Sequence, residues 1–115
     1  MKVIKKMLKL PREEYYMKHL EIINPLLPTT LTPKEIEVLA NFMCLQGDIT
    51  HDRFGTSARK IVQENVNISV AGMSNYMKSL KAKGFITDTS IAPILFPDDS
   101  QQDYQFILIN YDSQV

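Results

Sequence analysis

The chain has 115 residues, of which 44% are hydrophobic and 23% charged, so it fits one ordinary globular domain with a core of its own. No apolar run approaches the roughly 20 residues that span a bilayer, so we expect no membrane contact. The single cysteine, Cys44, excludes an intrachain disulfide, and the start lacks a signal-peptide pattern. Both favour a cytoplasmic protein.

The formal net charge is zero, but the charges are unevenly distributed along the chain. Residues 1–31 carry +3 and residues 32–52 carry −3. Residues 53–83 hold six Lys or Arg against Glu64 alone, whereas residues 84–115 hold five Asp and no Lys or Arg. Any attraction to phosphate is therefore expected to be local and modest, and to come from the segment that ends near residue 83.

Residues 1–30 are predicted to form an N-terminal arm followed by a helix. Residues 1–10 favour a strand over a loose arm. A helix is expected from Arg12 to about Ile23, because Pro11 suits the first turn, where its missing N–H costs nothing. This N-terminal unit is the part of the chain from which we expect any homodimer contact to come.

Two further helices are predicted in the middle of the chain. Thr32 begins a capping box that Glu35 completes three residues later, and Gly47 ends this helix. After a polar loop, Thr56 or Ser57 is expected to cap the next helix. The residues of that helix expected to face the core are Ala58, Ile61 and Val62.

A last helix is predicted after a tight turn at residues 65–67. Ser69 is expected to cap it and Gly84 to end it. Its apolar residues recur at spacings of four and three, which places them on one buried face: Met73, Met77 and Leu80. A strand is predicted from Phe85 to Thr87 and, after a long loop, a second strand over residues 104–111.

This order of elements predicts that residues 31–115 form a winged helix-turn-helix domain, mainly α, with a three-helix core and a small β-hairpin as the wing. Residues 61–86, IVQENVNISVAGMSNYMKSLKAKGFI, resemble the winged-helix module of the MarR type. The positions that match its pattern are Ile68, Ser69, Ser74, Leu80, Lys83, Gly84 and Ile86. Residues 31–39 also resemble the opening of the LuxR-type helix-turn-helix, although the spacing that follows differs. Similar small proteins are often encoded by tailed bacteriophages.

The helix that Ser69 caps is the candidate recognition element, because a helix fits the major groove of B-DNA. Asn75 can pair with adenine through two hydrogen bonds, and Val70 or Ala71 can touch a thymine methyl. The residues expected to contact DNA are Ser69, Val70, Ala71, Gly72, Ser74, Asn75, Lys78, Arg59, Lys60 and Lys81. The four basic ones are expected to hold phosphates. The alternative for these residues is an ordinary solvated helix face.

The loop between the two predicted strands departs from the MarR pattern. Wings of that family usually carry Arg or Lys, whereas this loop carries Asp98, Asp99 and Asp103. An acidic wing is repelled by phosphate. Residues 91–103, which begin with an apolar stretch, are therefore a candidate surface for a protein partner. The long dimerisation helices of the family have no counterpart in the sequence.

Patterns for catalysis or cofactor binding are weak. The chain has four scattered glycines and no phosphate-binding loop. Cys44 with His19 or His51 would make a nucleophilic pair, but a buried structural cysteine is the preferred interpretation. His51 with Asp52 and Asp48 lacks the further ligands of a metal site. We therefore expect no enzyme activity, no cofactor and no metal.

The sequence predicts a cytoplasmic protein that binds double-stranded DNA sequence-specifically, as a small transcriptional regulator, with phage origin suggested by the resemblance. Palindromic target sites are expected only if it forms a dimer. The alternative is a winged helix used for protein–protein interaction, or a phage packaging or replication accessory protein. Fold alone does not choose between these functions.

Overall fold

The computed structural model describes Met7 and residues 9–96, and this part of the chain is mainly helical. The α-helices are α1 (Arg12–Ile23), α2 (Pro33–Met43), α3 (Thr56–Val66) and α4 (Val70–Ala82). Short 3₁₀ turns lie at Asn24–Leu26, Gly47–Asp52 and Pro93–Leu95. None of the helices in these described residues is long and apolar enough to cross a membrane.

Helix α1 packs chiefly against α2, and its predicted bounds are confirmed. Leu20 and Ile23 contribute to the same apolar core as the residues of α2, α3 and α4. The connection to α2 is closed by Asn24, whose side chain donates to the carbonyl oxygen of Leu31 at 3.0 Å and accepts from its N–H at 2.7 Å. These two bonds hold the start of α2 close to the end of α1.

Helix α2 is the central helix of the core, with Ile36, Val38, Leu39, Ala40, Phe42 and Met43 buried. The predicted capping box is confirmed: Glu35 N–H donates to the Thr32 hydroxyl at 3.2 Å, and Thr32 N–H donates to the Glu35 carboxylate at 2.8 Å. The helix ends at Met43, before the Gly47 that was predicted to end it, and two arginine side chains bond to carbonyl groups at this end. Arg53 donates to Phe42 O at 3.0 Å, and Arg12 to Cys44 O at 3.1 Å.

Helix α3 begins one residue earlier than a Thr or Ser cap would require. Its N-cap is Gly55, with no side-chain cap, so the prediction of Thr56 or Ser57 is wrong. The Asp52 carboxylate occupies the place where a side chain at position 55 would begin, which favours glycine there. Ile61 is 39% exposed and does not face the core, because the buried residues of α3 recur every four positions: Ala58, Val62 and Val66.

A short turn joins α3 to α4. Asn67 has φ +58°, in the left-handed region that asparagine tolerates better than most residues. The Ser69 hydroxyl accepts from Gly72 N–H at 3.0 Å, which confirms the predicted cap. At the other end of α4, Gly84 has φ +80°, and the N–H of Phe85 donates to Leu80 O at 3.0 Å. This is the bond pattern of a Schellman motif, so Gly84 ends the helix as predicted.

After Gly84 the chain makes a tight turn instead of a long loop. Ile86 and Ile91 form an isolated antiparallel bridge, and Thr87 N–H donates to Ser90 O at 2.8 Å. No strand longer than this bridge occurs within residues 9–96. The predicted second strand, residues 104–111, and most of the predicted N-terminal strand lie outside the described residues.

Residues 91–96 return to the core, so only part of the apolar stretch at the start of the candidate partner surface 91–103 is exposed. Ile91 is 6% exposed and Leu95 is 0% exposed, while Ile94 remains 59% exposed. The imidazole Nε2 of His19, itself buried on α1, lies 2.9 Å from the Leu95 carbonyl oxygen. This contact joins the first described helix to the last 3₁₀ turn.

The free energy of unfolding is expected to fall as the pH drops below about 6.5, the ordinary pKa of histidine. Burial lowers the pKa of His19, and the hydrogen bond to Leu95 only partly opposes this. The unfolded chain therefore takes up the proton first. The stability that neutral His19 contributes is fully present above the pKa of histidine in the unfolded chain. It is lost as the pH falls through the lower pKa of His19 in the folded protein, by at most about 1.4 kcal/mol per pH unit.

Urea titrations between about pH 7.5 and 5.5 measure this slope above the range in which most carboxyl groups titrate. His19→Gln should remove the slope. His51→Gln is the matched control, because His51 is exposed on the 3₁₀ turn Gly47–Asp52, and it should leave the slope in place. The same slope in both variants would contradict the assignment to His19.

Candidate nucleic-acid interface

Helix α4 presents one exposed face opposite its buried stripe. Met73, Met77 and Leu80 are at most 3% exposed, as predicted. The residues at spacings of four, three and four on the other side are exposed: Ala71, Asn75, Lys78 and Ala82. Ala71 and Ala82 are small, so these two positions leave room for another surface to approach the helix.

The N-terminal end of α4 is also accessible. Val70 is 71% exposed, and Gly72 and Ser74 beside it are half-buried. A Cβ at position 72 would lie 3.2 Å from the Ser69 hydroxyl oxygen, which is tighter than usual side-chain contacts. Glycine at this position therefore leaves room for the Ser69 cap that starts the helix.

The four basic residues predicted to hold phosphates differ in what they already contact. Lys60 and Lys78 are exposed and have no ion-pair or hydrogen-bond partner among the described residues. Arg59 donates from Nε to Phe54 O at 2.7 Å, so its guanidinium is fixed against the start of α3. Lys81 pairs with Asp88 at 2.6 Å.

The Lys81–Asp88 pair reduces the positive charge that α4 can offer. The hydrogen bond from Lys81, followed by its charge, lowers the pKa of the Asp88 carboxyl, so the aspartate is ionised at neutral pH. Asp88 is highly exposed, and exposed pairs of this kind contribute little to stability. Lys60 and Lys78 are thus the freest cations of the segment that carries the basic excess.

A buried polar network behind α4 was not predicted. The Glu35 carboxylate, 2% exposed, accepts from Lys83 Nζ at 2.6 Å and from the Ser79 hydroxyl at 2.7 Å. Lys83 also donates to the carbonyl oxygen of Thr30 at 3.0 Å. These bonds connect the C-terminal end of α4 to the first turn of α2.

The Glu35 carboxyl is ionised in this network. Burial alone would raise its pKa, but hydrogen bonds from Lys83, Thr32 and Ser79 and the charge of Lys83 outweigh the burial, so the pKa lies below its ordinary value. Lys34, in the same turn of α2, donates to Val66 O at 3.2 Å at the end of α3. The first turn of α2 therefore holds the ends of both α3 and α4.

Glu35 and Lys83 each have a local explanation in the sequence, and this is why their pairing was missed. Glu35 completes the capping box, and Lys83 precedes the Gly84 that ends α4. The two residues are 48 positions apart, and no local pattern links them. The burial of Glu35 and its pairing with Lys83 follow only from the packing of α2 against the end of α4.

Features that would indicate catalysis are weak in the described part of the chain. No group of three or more His, Cys, Asp or Glu side chains in the described residues could hold a metal ion. Burial, followed by the charge of Glu13, raises the pKa of the Cys44 thiol. Near neutral pH this thiol stays protonated and is a poor nucleophile.

No protein-family model, curated protein or solved structure matches this chain. The MarR-type resemblance therefore remains an interpretation of the residues in 61–86. The α3–α4 pair offers an exposed face of α4 with two alanines, the unpaired amide of Asn75 and Lys78, and a second unpaired cation, Lys60, on α3.

Proposed function

We propose that the protein binds double-stranded DNA sequence-specifically through α4 and acts as a small transcriptional regulator in the cytoplasm. The observation that carries this proposal is the exposed face of α4, where Asn75 and Lys78 stand among small residues. The sequence has no acidic residue between Glu64 and Asp88. Such a face repels neither phosphate nor base edges, and both its size and its chemistry suit a major groove.

The proposed arrangement is that of a winged helix-turn-helix. Helix α4 enters the groove with its N-terminal half, and α3 crosses the phosphate backbone. Lys60 and Lys78 contact phosphates, and the bridged turn of Ile86 and Ile91 is the base of the wing. The resemblance to small proteins of tailed phages supports a role in a bacterial host.

The number of lysines available for phosphate contact, two per copy, indicates how many copies of the protein would bind one DNA site. Two phosphate contacts give a salt slope of about −2, so binding would weaken only about tenfold between 50 and 200 mM salt. A single copy would therefore bind weakly. We propose that two copies bind a palindromic site, with the dimer contact supplied by residues 1–30, which would double the phosphate contacts.

Lys78→Ala is expected to weaken binding to all duplexes by a similar factor and to reduce the salt slope by about 1 per copy. The measurement is an electrophoretic mobility shift with random duplex DNA, repeated across salt concentrations from about 50 mM. Lys18→Ala is the matched control, because it removes the same charge from an exposed position on α1. Since α1 belongs to the unit proposed for the dimer contact, gel filtration must show that this variant keeps the oligomeric state of the unmodified protein.

Two results would contradict the proposal. The first is no binding of the unmodified protein to any duplex at about 50 mM salt, where phosphate attraction is strong. The second is an equal loss in the Lys18 and Lys78 variants, which would indicate a non-specific effect of net charge. Retained binding by Lys18→Ala together with weakened binding by Lys78→Ala supports contact through α4.

A protein-interaction module, such as a phage packaging or replication accessory protein, is the second candidate. It is favoured by the engagement of the other basic residues of this segment, Arg53, Arg59, Lys81 and Lys83, with protein acceptors. Its test is replacement of the loop aspartates by asparagine in a pull-down. Deleting residues 91–103 is unsuitable, because this would also remove the buried Ile91 and Leu95.

A further inference from the structure

The exposed side chains in the first two turns of α4 differ in which bases they can read. In the major groove, guanine presents two acceptors that Arg or Lys binds, and cytosine presents a donor that Asp or Glu accepts. Adenine presents an acceptor and a donor that suit the amide of Asn or Gln, and thymine presents a methyl group that suits an apolar side chain. The side chains on α4 can be compared with this code directly.

Residues 70–75 contain no Arg, Lys, Asp or Glu, the side chains that select G·C pairs, and the hydroxyl of Ser74 can bond to either kind of pair. Val70, Ala71 and Asn75 are exposed, and Gly72 and Ser74 are half-buried. Lys78 is the first cation after Ser69. It lies three residues beyond Asn75, about 4.5 Å further along the helix axis. The base-reading part of the helix thus offers one amide, two apolar side chains and the hydroxyl of Ser74, which does not discriminate between the pairs.

Asn75 is free to make both hydrogen bonds that adenine requires. Its side chain is exposed and forms no hydrogen bond with any other described residue. Binding adenine would therefore not break an existing bond. Ala71, one turn before it on the same face, is too small to obstruct the approach.

Val70 is the apolar group best placed to touch a thymine methyl. It is 71% exposed at the first position of α4. Val70 and Asn75 are five residues apart, so they are separated by about 7.5 Å along the axis, or about two base-pair steps when the helix follows the groove.

We propose that α4 selects A·T pairs in the major groove, with Asn75 on an adenine and Val70 against a thymine methyl about two steps away. This inference rests on the proposed function, since it assigns the base content of the site through which that function operates. Lys78 remains a phosphate contact and adds affinity without selecting bases.

The test compares four alternating duplex copolymers of equal length, which carry A·T, A·U, I·C or G·C pairs. Uracil lacks the thymine methyl group. Inosine presents the major-groove acceptors of guanine but a minor groove like that of adenine. The unmodified protein is expected to bind A·T about tenfold more tightly than I·C or G·C, and about fourfold more tightly than A·U, from burial of one methyl group.

Two surface variants assign these preferences to residues. Asn75→Ala should reduce the preference for A·T over I·C, while Val70→Ala should remove the difference between A·T and A·U. Lys78→Ala should weaken all four complexes alike and keep both preferences. Circular dichroism and thermal unfolding of each variant verify that the fold is retained.

The outcomes separate this inference from the proposed function. Binding to all four copolymers with equal affinity, or a preference for G·C, overturns the inference while DNA binding stands. Equal affinity for A·T and I·C also overturns it, because that result indicates reading of the minor groove. Binding to none of the four at about 50 mM salt overturns both.

Discussion

Replacing Glu35 with alanine is expected to lower the free energy of unfolding by about 3 kcal/mol, the low end of the range for breaking a buried ion pair. The carboxylate is 2% exposed and accepts from Lys83, Ser79 and the backbone N–H of Thr32. All three donors lose their acceptor in the variant. Lys83 is 22% exposed and can turn towards water, which keeps the loss from being larger. Urea unfolding at neutral pH measures it.

Glu37→Ala is the matched control for this prediction. Glu37 lies on the same helix and pairs with Lys34 at 3.2 Å, but these side chains are 32% and 39% exposed. Its removal is expected to change stability by less than about 0.5 kcal/mol. Equal losses in the two variants would show that the buried network contributes no more than a surface pair.

The pH dependence gives a second signature of the Glu35 network. Because the folded pKa lies below the ordinary value of about 4.3, the stability that the charge contributes is present above that pH. It is lost as the pH falls through the folded pKa. Glu35→Gln keeps an acceptor without the charge. The free energy of unfolding of this variant should therefore be lower than that of the unmodified protein at neutral pH, and the two values should converge in acid.

Leu95→Ala is expected to destabilise the protein by about 3 kcal/mol, as for other buried leucines whose truncation leaves a cavity. Leu95 is 0% exposed although it lies in a stretch whose composition, with two prolines and an exposed Ile94, is that of a loop. Chemical denaturation followed by circular dichroism gives the free energy difference.

The neighbouring Ile94→Ala serves as the comparison for Leu95. Ile94 is 59% exposed, and its truncation is expected to change stability by less than about 0.5 kcal/mol. If Leu95→Ala were as mild as Ile94→Ala, residues 91–96 would not be part of the core. A large difference between the two adjacent positions would establish that this segment is a structural element.

Several elements could be predicted from the sequence because their signals are local. The bounds of α1, the capping box at Thr32 and Glu35, and the cap at Ser69 were all confirmed. Each depends on a few neighbouring residues whose backbone geometry or hydrogen bonding is preferred in one conformation. The buried stripe of α4 was predicted for a similar reason, since a helix repeats every 3.6 residues.

The incorrect predictions have a different origin. A cap at Thr56 or Ser57 was expected, but a cap contributes only about 1 kcal/mol, and the N-cap is Gly55, whose N–H donates to the carbonyl oxygen of Asp52 at 3.0 Å. Ile61 was assigned to the core by its apolar side chain, yet the stripe of α3 follows a spacing of four that leaves it at the edge.

The candidate site, too, could be predicted from the sequence only in part. Which residues of α4 face outward followed from the helical period, so Asn75 and Lys78 were predicted as exposed and are exposed. Which cations are free did not follow, because Arg59 and Lys81 bond to groups just outside their own helices, the carbonyl oxygen of Phe54 and the carboxylate of Asp88, and no helical spacing predicts these contacts. Counting basic residues in residues 53–83 therefore overestimates the charge available to a phosphate backbone.

The sequence by itself determined the four helices, the caps at Thr32 and Ser69 and the buried face of α4, since these depend on contacts within a few residues. The tertiary structure decided the pairing of Glu35 with Lys83, the burial of Leu95 against α1, and the freedom of Lys60 and Lys78. Such contacts join residues tens of positions apart, and their distances exist only after the helices have packed. The proposed DNA surface is thus encoded locally, while its orientation and usable charge are set by the core beneath it.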